Sequence, residues 1–312
     1  MKFYFAPMEG VAGYIYRNTY NKYFNNIDKF FAPFISTSPN GIKKMKEFKD
    51  ILPENNMGIN IVPQLLSNSY EDFVIAVKEM KSYGYNEINL NVGCPSGTVT
   101  SKKKGAGMLL DLDYLDKFLD FIFEHLDIKI SVKTRIGYYD DSEVEKLIEI
   151  YNNYPIYELI VHPRTREDFY KNKVDLNAFE KFYQNSKHDM CFNGDIFSYD
   201  DYENLIRRFP KVNKVMLGRG ILRNPSIVDN IKNNEKCPDL KKIFEFHDDL
   251  FEKYKNYLSG EIHLLFKMKE VWLYMVNSLE DSEKYAKKIK KIKKLSEYRS
   301  LIDELKYISG VW

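Results

Sequence analysis

Cysteine is scarce: 3 in 312 residues, at Cys94, Cys191 and Cys237, with no Cys-x-x-Cys pair. That spacing argues against a disulfide framework and against a structural zinc site, and it fits a reducing compartment. Long apolar runs are missing too. No stretch approaches the ~18 apolar residues of a membrane span, and "MKFYFAPMEG" holds too short an apolar patch for a signal-peptide core. The expectation is a cytoplasmic protein without a membrane partner. Neither sign of charge dominates, since 47 basic and 45 acidic residues leave a net +2. Any surface for a polyanion must therefore arise from uneven placement. The glycine-rich turn of dinucleotide folds is absent after the first β-like run, which disfavours an open doubly wound sheet. What is present is 44% hydrophobic residues, enough for one large core or one large and one small.

Eight short apolar runs recur: "KFYFAP" (2–7), "KFFAPFIS" (29–36), "INIVPQLL" (59–66), "EINLNVG" (87–93), "KISVKTR" (129–135), "ELIVHPRT" (158–165), "MCFNGD" (190–195) and "KVMLGRG" (214–220). Helical spacing fills most gaps between them. Phe73, Ala76, Val77 and Met80 share one face of 69–84, and Leu115, Phe118, Leu119 and Ile122 one face of 112–126. Segments 142–154 and 201–209 follow the fifth and seventh runs. This alternation predicts an α/β fold, a (β/α)8 TIM barrel over residues 1–240. From 241 to 312 the strand pattern stops and amphipathic helices are expected, forming a small all-helical C-terminal domain. Its lysine-rich stretch "KYAKKIKKIKKL" (284–295) places Ala286, Ile289, Ile292 and Leu295 at i, i+3 spacing, as a helix with a basic face would.

Polar residues and glycines gather where the runs end. In a parallel barrel those ends share one rim, which is where active sites form. Gln64, Asn91, Cys94, Lys133, Arg135, His162, Arg164, Asn193 and Arg219 would converge there. "FNGD" and "LGRG" follow runs seven and eight, the usual phosphate position of such barrels; Gly194, Gly218 and Gly220 permit close backbone approach and Arg219 adds charge. Lys133 and Arg135 alternate onto one face, and two cations in a barrel mouth call for an anionic partner. Cys191 lies mid-strand and reads as core. Cys94, on a turn beside Pro95, is open to four readings: buried filler, metal ligand, nucleophile or proton donor.

The ordered set "APMEGV", "VPQL", "NLNVGCPSGTVTSKKKGAGMLL", "VKTRIG", "VHPRTRED", "FNGDI" and "LGRGILRNP", spanning Ala6 to Pro225, resembles the FMN-dependent tRNA-dihydrouridine synthases. The resemblance implies an FMN-binding barrel followed by a helical tRNA-binding domain (241–312). The implied reaction is reduction of a tRNA uridine to 5,6-dihydrouridine at the expense of NADPH. By the same resemblance Pro7 and Met8 lie against the flavin, and Gln64, Lys133 and His162 bond its polar edge. Asn193, Gly194, Asp195, Gly218 and Arg219 hold the ribityl phosphate end. Asn91 and Arg135 face the uracil, and Cys94 is the catalytic acid. "HPRTR" carries Pro163 where the family more often has glycine, so a different loop is expected there.

A thiol with a pKa of about 8.5 is mostly protonated near neutrality and can donate to C5 while hydride reaches C6. Lys102, Lys103 and Lys104 would lower that pKa if close, so they are expected to point outward, toward RNA phosphates. The lysines of 284–295 are expected to add to that surface. No metal and no obligate protein partner is expected. Two other readings fit parts of the pattern: an FMN barrel acting on a free pyrimidine or other small enone, and a non-catalytic RNA-binding protein.

Overall fold

The computed structural model describes residues 1–42 and 48–311. Eleven strands form one sheet: β1 Lys2–Phe5, β2 Lys29–Phe31, β3 Ile35–Ser38, β4 Gly41–Ile42, β5 Ile61–Val62, β6 Gln64–Leu66, β7 Glu87–Val92, β8 Lys129–Gly137, β9 Glu158–Thr165, β10 Met190–Asn193 and β11 Lys214–Leu217. The order is β4-β3-β6-β7-β8-β9-β10-β11-β1-β2-β5. The sheet closes because β2 and β3 are two halves of one barrel strand and β5 and β6 two halves of the next. Phe30 pairs with Ile61 and Ile35 with Leu65, all parallel. The expected second and third strands are thus each broken, at Pro33 and Pro63. Proline has no N–H for the ladder, so pairing lapses there and resumes beyond it. The short antiparallel β3–β4 pair (Ser38 opposite Gly41) was not expected.

Alternation along each strand builds two cores. Outward residues such as Ile88, Leu90, Val92, Val132 and Ile136 meet the surrounding helices. Inward residues Tyr4, Phe31, Val62, Ile160, Cys191 and Met216 fill the barrel, as expected of Cys191. The helices Tyr70–Ser82, Leu112–His125, Val144–Asn152 and Tyr199–Arg208 lie where periodicity placed them, and the two named apolar faces are buried. The first two begin at side-chain caps: Ser69 accepts from the Asp72 N–H at 3.1 Å and Asp111 from that of Tyr114 at 3.0 Å.

Beyond the last strand run the helices Leu240–Tyr257, Glu261–Met275, Ser282–Lys291 and Leu295–Ile308. Phe246 packs its ring against Tyr16, Tyr20, Tyr23 and Phe24, so the core continues from the barrel into these helices. The lysine-rich stretch is not one helix. It ends at Lys291, turns through an extended Ile292, and restarts at Leu295. Ile289 and Leu295 stay buried on either side of the break. No helix among the described residues is long and apolar enough to cross a membrane.

Candidate active site

At the end of β7 the chain turns sharply, and Asn91 makes the turn. Its Oδ1 accepts from the backbone N–H groups of both Gly93 and Cys94, each at 2.9 Å. Because those donors cannot accept, the Asn91 amide has one orientation, with Nδ2 donating to Gln64 Oε1 at 2.8 Å. Gln64 Nε2 must then donate onward, to Asn89 Oδ1 at 2.7 Å, and Asn89 Nδ2 to Ser131 Oγ at 2.9 Å. Gln64, Asn89 and Ser131 are fully buried inside the barrel and Asn91 nearly so. This directional amide chain holds the Cys94 turn from below. Asn89 and Ser131 went unrecognised in the sequence, although Asn-x-Asn in "NLNVG" puts two amides on one strand face.

Gly105 closes over the turn from above. Its φ is +56°, and a Cβ there would lie 2.9 Å from that of Cys94. The Ala106 N–H donates to the Cys94 carbonyl at 3.0 Å. The glycines that trail the cysteine are therefore what lets the following loop fold back onto it.

Strand β8 turns Ser131, Lys133 and Arg135 inward, with Lys133 and Arg135 on one face as expected. Arg135 is buried and spends its guanidinium on backbone carbonyls: Gly93 at 2.8 Å, Thr165 at 2.6 Å and Phe169 at 3.1 Å. It ties the Cys94 loop to the loop after β9. The β8–β9 register shifts between Arg135 and Gly137, opposite the stretch in which Pro163 offers no N–H. His162 and Arg164 point inward from β9. Asp195 accepts from both Arg164 and Arg219, the latter at 2.6 Å.

These elements surround a cavity of about 340 Å³. Pro7, Met8, Gln64, Asn91, Cys94, Lys133, Arg135, His162, Asn193, Gly194, Asp195, Gly218 and Arg219 all line it. Arg164 stands behind His162, outside the wall. Lys102 and Lys103 are exposed and outside the cavity. Lys104 departs from the outward orientation expected of it: it is half-buried and donates to the Thr37 carbonyl at 3.2 Å, and burial lowers its pKa. Sequence reasoning missed Glu9, Phe34, Tyr170 and Tyr274, which also line the wall. Tyr274 comes from the Glu261–Met275 helix, so the C-terminal helices complete the mouth. Glu9 sat inside the quoted "APMEG"; Tyr170 and Tyr274 carry no periodic or motif signal.

The charges inside are uneven. Burial pushes the Cys94 thiol up; the Ser96 N–H, Arg135 and Lys133 pull it down without cancelling that. It is a protonated thiol near neutrality. Burial, with Arg135 beside it, pushes Lys133 down to about 7. Its ammonium has no protein acceptor among the described residues. The cavity thus presents a neutral proton donor and a destabilised cation, a pairing suited to a ligand that accepts hydrogen bonds or negative charge.

Lys133 makes the ligand-free protein pH-sensitive. An unfolded lysine keeps its proton to about pH 10.4, whereas folded Lys133 releases it from about 7. Between those values the unfolded chain binds more protons, so stability rises with pH. Urea unfolding of the ligand-free protein should show this rise, and Lys133→Met should flatten it. Parallel curves for the two proteins would mean an ordinary lysine.

A family model described as "Dihydrouridine synthase (Dus)" matches residues 4–308. A Staphylococcus aureus (strain MRSA252) protein named "Probable tRNA-dihydrouridine synthase" is 25% identical over 312 residues, covering 97% of this chain and 92% of its own. A Helicobacter pylori (strain ATCC 700392 / 26695) protein of the same name is 26% identical over 286 residues, covering 89% and 84%. Among solved structures, morphinone reductase in complex with tetrahydroNAD aligns over 75% of this chain and 86% of its own, with a TM-score of 0.51 and 12% identity. TcOYE with pHBA aligns over 83% and 96%, with a TM-score of 0.53 and 11% identity. At such identities the structural likeness speaks for the barrel fold alone.

Proposed function

The chain belongs to the dihydrouridine synthase family, and on that premise we propose that it reduces a uridine of tRNA to 5,6-dihydrouridine, with FMN as bound cofactor and NADPH as reductant. The observation that carries this reading is the Lys133 ammonium, which has no protein acceptor among the described residues and shares a cavity with the protonated thiol of Cys94. The residues present fit a flavin. Pro7 and Met8 offer an apolar wall, Gln64 and His162 polar contacts, and Lys133 a cation for the polar edge of the ring system. Asn193, Gly194, Gly218 and Arg219, from the ends of β10 and β11, line the same cavity and would take the phosphate. Asp195 keeps Arg219 and Arg164 in place through its carboxylate.

Bound FMN would supply the hydride that adds to C6 of uracil. The protein's part is to hold the base and deliver the proton. Cys94 keeps its proton at neutral pH and gives it to C5 as general acid. Lys133, facing the cavity, stabilises negative charge that develops there. Asn91 and Arg135 border the space for the uracil and hold the Cys94 loop at the same time. The base must leave the tRNA stack to enter, and Tyr170 and Tyr274 stand at the mouth it would pass.

Purified protein given NADPH and unmodified tRNA should show flavin absorbance and add two hydrogens to a uridine, read by mass spectrometry of the digested RNA. Equal turnover of free uridine would point to a small-molecule reductase instead. A colourless, flavin-free protein would end the reading.

The tRNA backbone needs cations outside the cavity. Lys102, Lys103, Lys290, Lys291, Lys293 and Lys294 are exposed, whereas Lys288 is paired with Glu304 at 2.7 Å. We assign the exposed lysines to phosphate contact and residues 241–312 to tRNA binding. Affinity should then fall with salt, with a log–log slope of about −0.7 to −0.9 per contact. Replacing Lys290, Lys291, Lys293 and Lys294 by Gln should flatten that slope and raise the KM for tRNA, with flavin reduction unaffected. An unchanged slope would move the RNA surface elsewhere.

A further inference from the structure

His162 lines the cavity, but the side chain that governs it does not. We propose that Arg164, from behind the cavity wall, fixes the His162 imidazole as its Nδ1–H tautomer, so that His162 is a standing hydrogen-bond donor to the cavity and never a proton carrier. The inference rests on the functional reading only for the identity of the acceptor, a heteroatom of the bound flavin.

The argument is a count of hydrogens. Arg164 is 1% exposed and its guanidinium has five N–H groups. Its Nε–H goes to the Asn172 carbonyl at 2.7 Å. One terminal nitrogen donates to that same carbonyl and to Asp195 Oδ2. The other lies 3.1 Å from Asp195 Oδ1 and 3.0 Å from His162 Nε2. All five hydrogens are thus directed, and the fifth points at the imidazole. A guanidinium has no lone pair to offer and does not give up its proton in a protein. His162 Nε2 must therefore accept. The opposite tautomer, or an imidazolium, would set two donors face to face at 3.0 Å with no water between them. The one proton of the neutral ring then sits on Nδ1, which has no protein partner among the described residues.

The surroundings act in the same direction. Lys133 and Arg135 face the ring from β8, Arg164 from β9 and Arg219 from beyond β11. The carboxylate at hand, Asp195, is taken by two arginines, and Tyr170 presents its ring at 6.1 Å. Burial and these cations hold the imidazole pKa well below the usual range. Arg164 is on this account a positioning residue: it touches neither cavity nor ligand, and it decides which nitrogen of His162 can serve them.

The tautomer can be read directly by long-range 1H–15N correlation on 15N-labelled protein, both flavin-free and FMN-loaded. The chain has 5 histidines, and His162 is identified as the set of signals lost in His162→Gln. The expected spectrum shows a protonated Nδ1 and an unprotonated Nε2, unchanged between about pH 5 and 8. In Arg164→Met the ring should populate both tautomers, with a protonated Nε2 form appearing beside the Nδ1–H form. A proton on Nε2 in the wild type, an imidazolium near neutrality, or an unaltered tautomer in a folded Arg164→Met protein would each overturn the proposal. Should that variant fail to fold, the wild-type spectrum still decides. The readout needs neither RNA nor turnover, so a protein that does not reduce tRNA uridine and a histidine in the wrong tautomer are separate results.

Discussion

Cys94→Ala should abolish uridine reduction while leaving reduction of the flavin by NADPH at its normal rate. Electrons entering the cofactor involve no thiol; protonation of C5 does. Loss of a positioned general acid lowers turnover by about 10²- to 10⁴-fold. The two half-reactions followed separately by stopped-flow absorbance check the expectation. Loss of both in a folded, FMN-loaded variant would give Cys94 a different task. The pH profile supplies a second check. Because burial raises the thiol pKa, uridine reduction should persist to higher pH than an exposed cysteine would allow, then fall as the thiol ionises.

Glu158→Ala should destabilise the fold by about 3 kcal/mol, the lower end of the range for breaking a buried ion pair. Glu158 is 1% exposed at the end of the barrel away from the cavity. It pairs with Lys214 at 2.6 Å and Lys29 at 3.3 Å and accepts from the Tyr4 hydroxyl at 2.8 Å. Its removal leaves both ammonium groups short of a partner in a place water barely reaches. Glu87 still meets Lys29 at 2.8 Å and Asp189 still meets Lys214, which is why the lower figure applies. Equilibrium urea unfolding measures it. A loss below about 1 kcal/mol would show that solvent reaches these charges as it does a surface pair.

That charged plug marks a limit of sequence reading. Lys29, Glu87, Glu158 and Lys214 each open one of the eight apolar runs, a visible regularity whose meaning depends on the barrel bringing the four starts together. The runs themselves were legible because apolar residues must meet the helices. The breaks at Pro33 and Pro63 were not, since the apolar pattern continues across both. The lysine stretch misled for a related reason: Ile289, Ile292 and Leu295 keep helical spacing through a turn that interrupts the helix. At the cavity, polar residues ending successive strands had one place to go, and all thirteen residues from Pro7 to Arg219 assigned to catalysis, cofactor or base arrived there. Charge environment was harder. Lys102 to Lys104 are close to Cys94 in the chain, yet Lys133 and Arg135 are the cations that act on it. Tyr274 reaches the mouth from a helix far along the chain, a proximity no local pattern encodes.

The two proline breaks lie on neighbouring strands, and they split the pairing between those strands into two short ladders. Six consecutive residues pair between β7 and β8, whereas β2 meets β5, and β3 meets β6, through two residues each. Amide protons along a barrel exchange with solvent through openings whose free energy follows the local density of bonds and packing. Deuterium should therefore enter at Phe30 and Ala32, which donate to Asn60 and Val62, well before it enters at Leu90 or Asn91. The six-residue ladder between β7 and β8, from whose end the chain runs on to Cys94, would then be slow to let go.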